Sequence, residues 1–231
     1  MSVVVTGAAG GVGGACVEAF RADGRHVIGF DVKDGSPADD HHVVDFSSDS
    51  CGDEVSRLVG DNDIEVLVNN AAIAEYSTAL ATSTEDWDSI MAVNLRAPFL
   101  VAKALHPRLK ANRAAVVNVS SVHAVATSPG AAAYAASKGG LLALTRALAL
   151  EWAPEVRVNC VLPGAIDTAM LADGLSRSGL TVDELGAKHP LGRVGSPEEI
   201  AEAVAFLADS RFTTGAALTV DGGATARLST E

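Results

Sequence analysis

Short runs rich in β-branched residues, at 3–6, 26–30, 42–44, 65–69, 115–119, 157–162 and 217–220, alternate along the chain with stretches long enough for a helix. No other feature restricts the fold as much. The runs are continuously apolar instead of alternating apolar with polar, as strands are when helices cover both faces of a parallel sheet. Parallel neighbours also need long crossovers, and these are right-handed. The expectation is a doubly wound parallel sheet, Rossmann-like, in a three-layer α/β/α arrangement. A chain of 231 residues with 48% hydrophobic content can bury one large core. With no repeat, linker or low-complexity tract to divide it, residues 1–231 read as a single domain. Helices are expected at 11–23, 53–58, 84–110 with a break near Asn94, 132–152 and 197–208. The last has a clear start: Ser196 as N-cap, Pro197 at the first helical position and Glu199 placed to complete a capping box. Between the second and third strands, DVKDGSPADDHH lacks helical periodicity and reads as a loop.

Composition excludes several function classes. The formal net charge is −12 with lysines and arginines scattered singly, so no basic face is available for nucleic acid. Cys16, Cys51 and Cys160 are odd in number and far apart, which suggests neither a disulfide framework nor a thiolate metal site. The N-terminus lacks a signal-peptide pattern, and no apolar run reaches the ~18 residues of a membrane span. The expectation is a soluble cytoplasmic protein in a reducing compartment, with no metal and no membrane partner.

Two motifs carry chemistry. Thr6-Gly-Ala-Ala-Gly-Gly-Val-Gly13 lies between the first strand and the first helix, where glycines allow a tight turn and let the backbone approach a pyrophosphate at the helix N-terminus. Such a turn alone also fits a merely tight connection; the strand–turn–helix order favours a dinucleotide. Asp31 follows the second strand, near the spacing of about 20 residues expected for a carboxylate that accepts from the adenosine ribose. It argues for NAD over NADP, since Ala8, Ala9 and Gly10 offer no cation to a 2′-phosphate; Lys33 is the one nearby exception. The second motif is Tyr134-Ala-Ala-Ser-Lys138. Residues four apart on a helix share a face, so an ammonium beside the phenol is expected to lower a pKa of about 10 and make Tyr134 a usable acid and base. The bland alternative for that spacing is a helix face with a solvated lysine.

With the glycine turn, Asp31, Asn69-Asn-Ala-Ala72, Asn94, Ser121, Tyr134 and Lys138 in this order, the sequence resembles the short-chain dehydrogenase/reductase family along essentially its whole length. The resemblance implies a catalytic group of Asn94, Ser121, Tyr134 and Lys138. In it Tyr134 exchanges a proton with the substrate oxygen, Ser121 holds that oxygen, Lys138 binds the nicotinamide ribose, and Asn94 positions a water linking Lys138 to solvent. It further implies cofactor contacts from Thr6, Gly7, Gly11, Val12 and Gly13, from Asp31 and Val32, and from Asp45 and Phe46. Asn70, Ala71 and Ala72, then Pro163, Gly164, Ile166 and Thr168, complete that set with Tyr134 and Lys138. The implied activity is NAD(H)-dependent interconversion of a small alcohol and ketone by a homo-oligomer, a tetramer as in most of the family. A sugar-nucleotide epimerase or dehydratase, and a non-enzymatic dinucleotide sensor, are the alternatives. Two departures stand out: Ala72 replaces the usual glycine and restricts the backbone there, and the helix usual after the second strand is a loop.

Other polar residues carry less. Asp39-Asp-His-His-Val-Val-Asp45 has ligand types for a metal, but adjacent His41 and His42 on a strand point to opposite sides. His123 reads equally as pocket lining or as a solvent-facing loop residue. His106 and His189, each before a proline, read as turn residues, and Trp87 and Trp152 as packing. Glu75 and Tyr76 follow the fourth strand, where substrate contacts arise in the family. The segment at about 167–190 reads as a substrate cover, with Gly174 and Gly179 as hinges.

Overall fold

The structure, a computed structural model, describes residues 1–226. Seven parallel strands form one sheet in the order β3-β2-β1-β4-β5-β6-β7. β1 (Ser2–Thr6) lies between β2 (His26–Asp31) and β4 (Ile64–Asn69); β3 (Asp40–Val43) and β7 (Ala217–Val220) are the edges, with β5 (Ala115–Val119) and β6 (Arg157–Pro163) between β4 and β7. Winding reverses beside β1, so the C-terminal ends of β1 and β4 open a crevice there.

The apolar strands explain the three layers. Along β1 the pleat sends Val4 to one face and Val3 and Val5 to the other, and all are fully buried. Val4 joins a core with residues of α2 (Cys51–Val59), α4 (Ala97–Ala111) and α5 (Ala132–Trp152). Val3 and Val5 join a second core with α1 (Gly11–Ala22) and α8 (Pro197–Asp209). Each such side chain contributes about 1.5–3 kcal/mol of burial, so a continuously apolar strand is favourable only when both faces are covered.

The expected helix start at Ser196 is present: Ser196 Oγ accepts from Glu199 N–H (3.4 Å) while Glu199 Oε2 accepts from Ser196 N–H (2.9 Å). The break near Asn94 is a π-helical turn, Ala92–Arg96, joining α3 (Thr84–Met91) to α4, with Ala97 N–H donating to Ala92 O. The third strand begins at Asp40, earlier than expected, because Asp39 already bonds to Val27 through both its backbone N–H (3.0 Å) and its carboxylate (2.9 Å). His106 is no turn residue. It lies inside α4 with its ring 4.6 Å from that of Trp152.

The segment at 167–190 contains two helices that periodicity did not reveal, α6 (Ala169–Ser178) and α7 (Val182–Gly186). Their starts carried the missed signal. Thr168 accepts from Leu171 N–H, and Thr181 with Glu184 forms a full capping box. Among the described residues, no helix is long and apolar enough to cross a membrane.

Candidate active site

The glycine turn owes its shape to sterics. Gly7 (φ +68°) and Gly11 (φ +54°) adopt left-handed backbone, and a Cβ on Gly13 would lie 1.9 Å from the Gly7 carbonyl oxygen. Gly10 provides no side chain to cap α1, so the first-turn N–H groups are left for an anion. Thr6 and Asn70 lock the turn to the end of β4. Thr6 Oγ1 accepts from the N–H groups of Asn70 (3.0 Å) and Ala71 (3.1 Å), and Asn70 Nδ2 donates to the carbonyls of Thr6 (3.0 Å) and Gly7 (3.1 Å). Asp31 sits against the same turn: Oδ2 accepts from Ala9 N–H (2.9 Å) and Oδ1 from Lys33 N–H (3.0 Å).

The other expected nucleotide residues divide by burial. Val32 is exposed, whereas Phe46 is buried among the core residues of the α2 side. Asp45 accepts from Ser47 through both backbone and hydroxyl, and these bonds hold its carboxyl below the usual range. Ala72 needs no unusual backbone, since Arg113 is the one described non-glycine residue with positive φ. Pro163 ends β6, Gly164 backs onto Asp221, and Ile166 is buried. Thr168 caps α6 with its methyl opposite Gly11, where an added Cβ would be 3.3 Å away, so the start of the cover abuts the glycine turn. Gly11, Val12 and Gly13 form the first turn of α1.

The catalytic candidates converge at the ends of β4 and β5 and on α5. Lys138 is 2% exposed and donates through Nζ to Val119 O (2.9 Å), with its ammonium 5.7 Å from the Tyr134 ring centre. A solvated lysine is thereby excluded. Ser120 Oγ donates to Lys138 O (2.8 Å), anchoring the helix to the strand, whereas Ser121 Oγ accepts from His123 N–H (3.2 Å) and lies near enough to the Tyr134 phenol to favour its ionised form. The two serines have different tasks. Asn94 is fully engaged: it clamps Ile73 through both backbone groups (2.8 Å each) and donates to Ser137 Oγ (3.1 Å), which donates to Tyr134 O (2.7 Å).

Burial sets the electrostatics and corrects one expectation. Tyr134 is 7% exposed, and its pKa is raised well above the ordinary phenol value, first by desolvation and then by neighbouring Tyr76, against the opposing Ser121 hydroxyl. Lys138 does not lower it as expected. Burial instead pushes the lysine down to about 8, opposed by nearby Cys160, so the desolvation of both groups outweighs their proximity. A protonated phenol, a hydroxyl and an ammonium so grouped can hydrogen-bond an oxygen atom and exchange one proton with it.

The sequence underrated two residues. Tyr76 and His123 pack around Tyr134, at ring separations of 6.1 and 5.6 Å. Their positions just past the C-terminal ends of neighbouring β4 and β5 were the available signal. The Asp39–Asp45 run stays apart from this site: His42 stacks on Phe30 and His41 Nε2 faces Lys33 O (3.0 Å), and among the described residues no His/Cys/Asp/Glu group suits a metal. His189 ends a turn, with Nδ1 3.0 Å from Leu185 O. Trp152 packs against the α2-side core, while Trp87 is 40% exposed.

Comparison with known proteins agrees with this geometry. A family model described as Enoyl-(Acyl carrier protein) reductase matches residues 7–225. The chain is 40% identical over 237 residues to an uncharacterized short-chain type dehydrogenase/reductase, y4vI, of Sinorhizobium fredii, covering 96% of this chain but only 43% of that protein. It is 37% identical to the 3-oxoacyl-[acyl-carrier-protein] reductase FabG of Chlamydia muridarum, with 96% of each chain covered. The solved ligand-free aldohexose dehydrogenase of Thermoplasma acidophilum superimposes with a TM-score of 0.94 at 35% identity, covering 99% of this chain and 95% of that one. The fold and site thus define an oxidoreductase that binds a nicotinamide dinucleotide and acts on a small molecule at a CH–OH or carbonyl carbon. The chain belongs to the short-chain dehydrogenase/reductase family.

Proposed function

We infer that this chain is an NAD(H)-dependent dehydrogenase/reductase interconverting a secondary alcohol and a ketone. The observation carrying this reading is the convergence of Ser121, Tyr134 and buried Lys138 at the strand ends beside a glycine cradle that a Cβ would fill. That cradle and the capless N-terminus of α1 fit a pyrophosphate. A bound nicotinamide would supply the hydride acceptor or donor.

The chain's own residues handle the oxygen and its proton. His123 N–H occupies a lone pair of Ser121 Oγ, which leaves the Ser121 O–H to donate toward the substrate oxygen. Tyr134 transfers a proton to or from that oxygen. Because burial keeps the phenol protonated at neutral pH, it stands ready as an acid for carbonyl reduction. Lys138, fixed by Val119 O, is the group to hold the nicotinamide ribose, and Asn94 positions rather than reacts, through Ile73 and Ser137. At the far end Asp31 repels a 2′-phosphate, and Ala8, Ala9 and Gly10 provide no cation to offset this, which supports NAD. Residues 169–186 form two short helices and leave little room for the separate substrate domain an epimerase would need. Family resemblance supports a homo-oligomer, a tetramer.

The test is an NAD(H)-linked screen over diverse alcohols and ketones, repeated with Tyr134→Phe. The variant is expected to lose about 10²–10⁴-fold in kcat and still bind NADH. Wild-type turnover by Tyr134→Phe would remove the proton role, and NADPH binding more tightly than NADH by calorimetry would remove the assignment of Asp31. NADH binding without turnover anywhere in the panel would favour a dinucleotide sensor.

A further inference from the structure

Three aromatic rings stand together at the reacting end of the sheet. Tyr76 lies 6.1 Å from Tyr134 at 45°, His123 meets Tyr134 edge-on at 5.6 Å and 79°, and Tyr76 lies 6.4 Å from His123. We propose that Tyr76 and His123 are specificity-determining residues and that the substrate they select is an uncharged cyclic alcohol or ketone, its ring lying against this aromatic wall. The proposal rests on the alcohol–ketone reading above.

The wall is held in place by the chain's own bonds. The stretch from 70 to 77 is pinned three times: Asn70 to the glycine turn, Ile73 to Asn94 through both backbone groups, and Ser77 by a parallel bridge to Ala131, directly before α5. His123 is fixed by its N–H to Ser121 Oγ and by Nδ1 against Thr127 Oγ1 (2.8 Å). An ordered surface costs little further entropy when it binds. The cover closes over it: a Cβ on Gly174 of α6 would touch the Tyr76 ring at 3.6 Å, so α6 lies in contact distance of the wall.

Charge and shape then narrow the substrate. Burial raises the Tyr76 pKa and lowers that of His123, so both rings are neutral at neutral pH and neither is a counter-ion for a carboxylate or phosphate. Aromatic faces gain most from partners presenting several atoms at once, in offset or edge-on contact. A compact ring meets that condition next to Tyr134. An extended chain crosses the wall a few atoms at a time and loses its own torsional freedom on being held.

Matched pairs provide the test: cyclohexanol against 2-hexanol with NAD, cyclohexanone against 2-hexanone with NADH, and lactate as the charged alcohol. The wild-type enzyme is expected to favour the ring in kcat/KM by about tenfold or more, mainly through KM, and to turn over lactate poorly. Tyr76→Leu and His123→Leu, with NADH affinity as the check on folding, are each expected to cut that ratio by about tenfold, losing more on the ring than on the chain. Gly174→Leu, which intrudes from the cover, should lower ring turnover in the same way. A wild-type preference for the open chain or for lactate overturns the proposal, as do variants that lower both members of a pair equally. No turnover of either member by the wild-type enzyme, while it turns over other alcohols or ketones of the diverse panel, overturns this proposal alone; no turnover anywhere in that panel overturns the alcohol–ketone reading and this proposal with it.

Discussion

The proposed nucleotide end and the proposed catalytic end of this sheet are made in opposite ways. At the nucleotide end the functional groups are backbone: glycines 7, 11 and 13, spaced within one turn, with a part-buried Asp31 bonded to Ala9 N–H. Their fitness comes from what is missing, since a Cβ at Gly13 has no space. At the catalytic end the groups are side chains that burial has altered, with Tyr134 raised and Lys138 lowered to about 8. Recognition here is local sterics, and reactivity is desolvation organised over long sequence distances.

Perturbing each end separately sharpens that contrast. After Tyr134→Phe, the largest effect is expected at Ser121: Ser121→Ala should cost about 10²–10³ in kcat by removing the donor at the reacting oxygen. Ser120→Ala, which loses only the anchor to Lys138 O, should instead cost about 1 kcal/mol of stability and leave kcat within a few-fold. Equal kcat losses would mean the two serines are not divided as described. Next is Gly13→Ala, where the clash with Gly7 O should cost about 3 kcal/mol in denaturant unfolding and lower NADH affinity sharply. Unchanged affinity would break the link between the cradle and the cofactor.

The third prediction concerns Lys138. Its pKa falls from 10.5 unfolded to about 8 folded, so between these values the unfolded chain binds more protons and stability rises with pH. The burial cost is therefore full below pH 8 and relieved by about pH 10.5. Lys138→Met should be more stable than wild type at pH 7 by about 2 kcal/mol, after loss of the bond to Val119 O, and the gap should close toward pH 10.5. A gap independent of pH in paired denaturation curves would refute the buried-cation account. The smallest effect is at Asp31: Asp31→Asn should narrow the NADH-over-NADPH preference by about tenfold in calorimetric titrations. No narrowing would place cofactor choice elsewhere.

Continuous apolar strands made the parallel sheet legible, and the capping box at Ser196 marked its helix, because both signals depend on neighbours in sequence. α6 and α7 were missed since short mixed-polarity helices have weak periodicity, although their Thr caps were visible. Tyr76 and His123 were legible only as candidates for the pocket, because they become neighbours of Tyr134 only when β4 and β5 pair.

By itself, then, the sequence determined the winding of the sheet, the glycine turn and the carboxylate that ends β2. These rest on side-chain type and spacing, which local geometry converts directly into structure. Only the tertiary structure decided that Asn94 clamps Ile73, and that Lys138 is buried with Tyr134 shifted up instead of down. Those properties follow from desolvation and from contacts between distant segments, and no spacing along the chain encodes how much water a folded core removes.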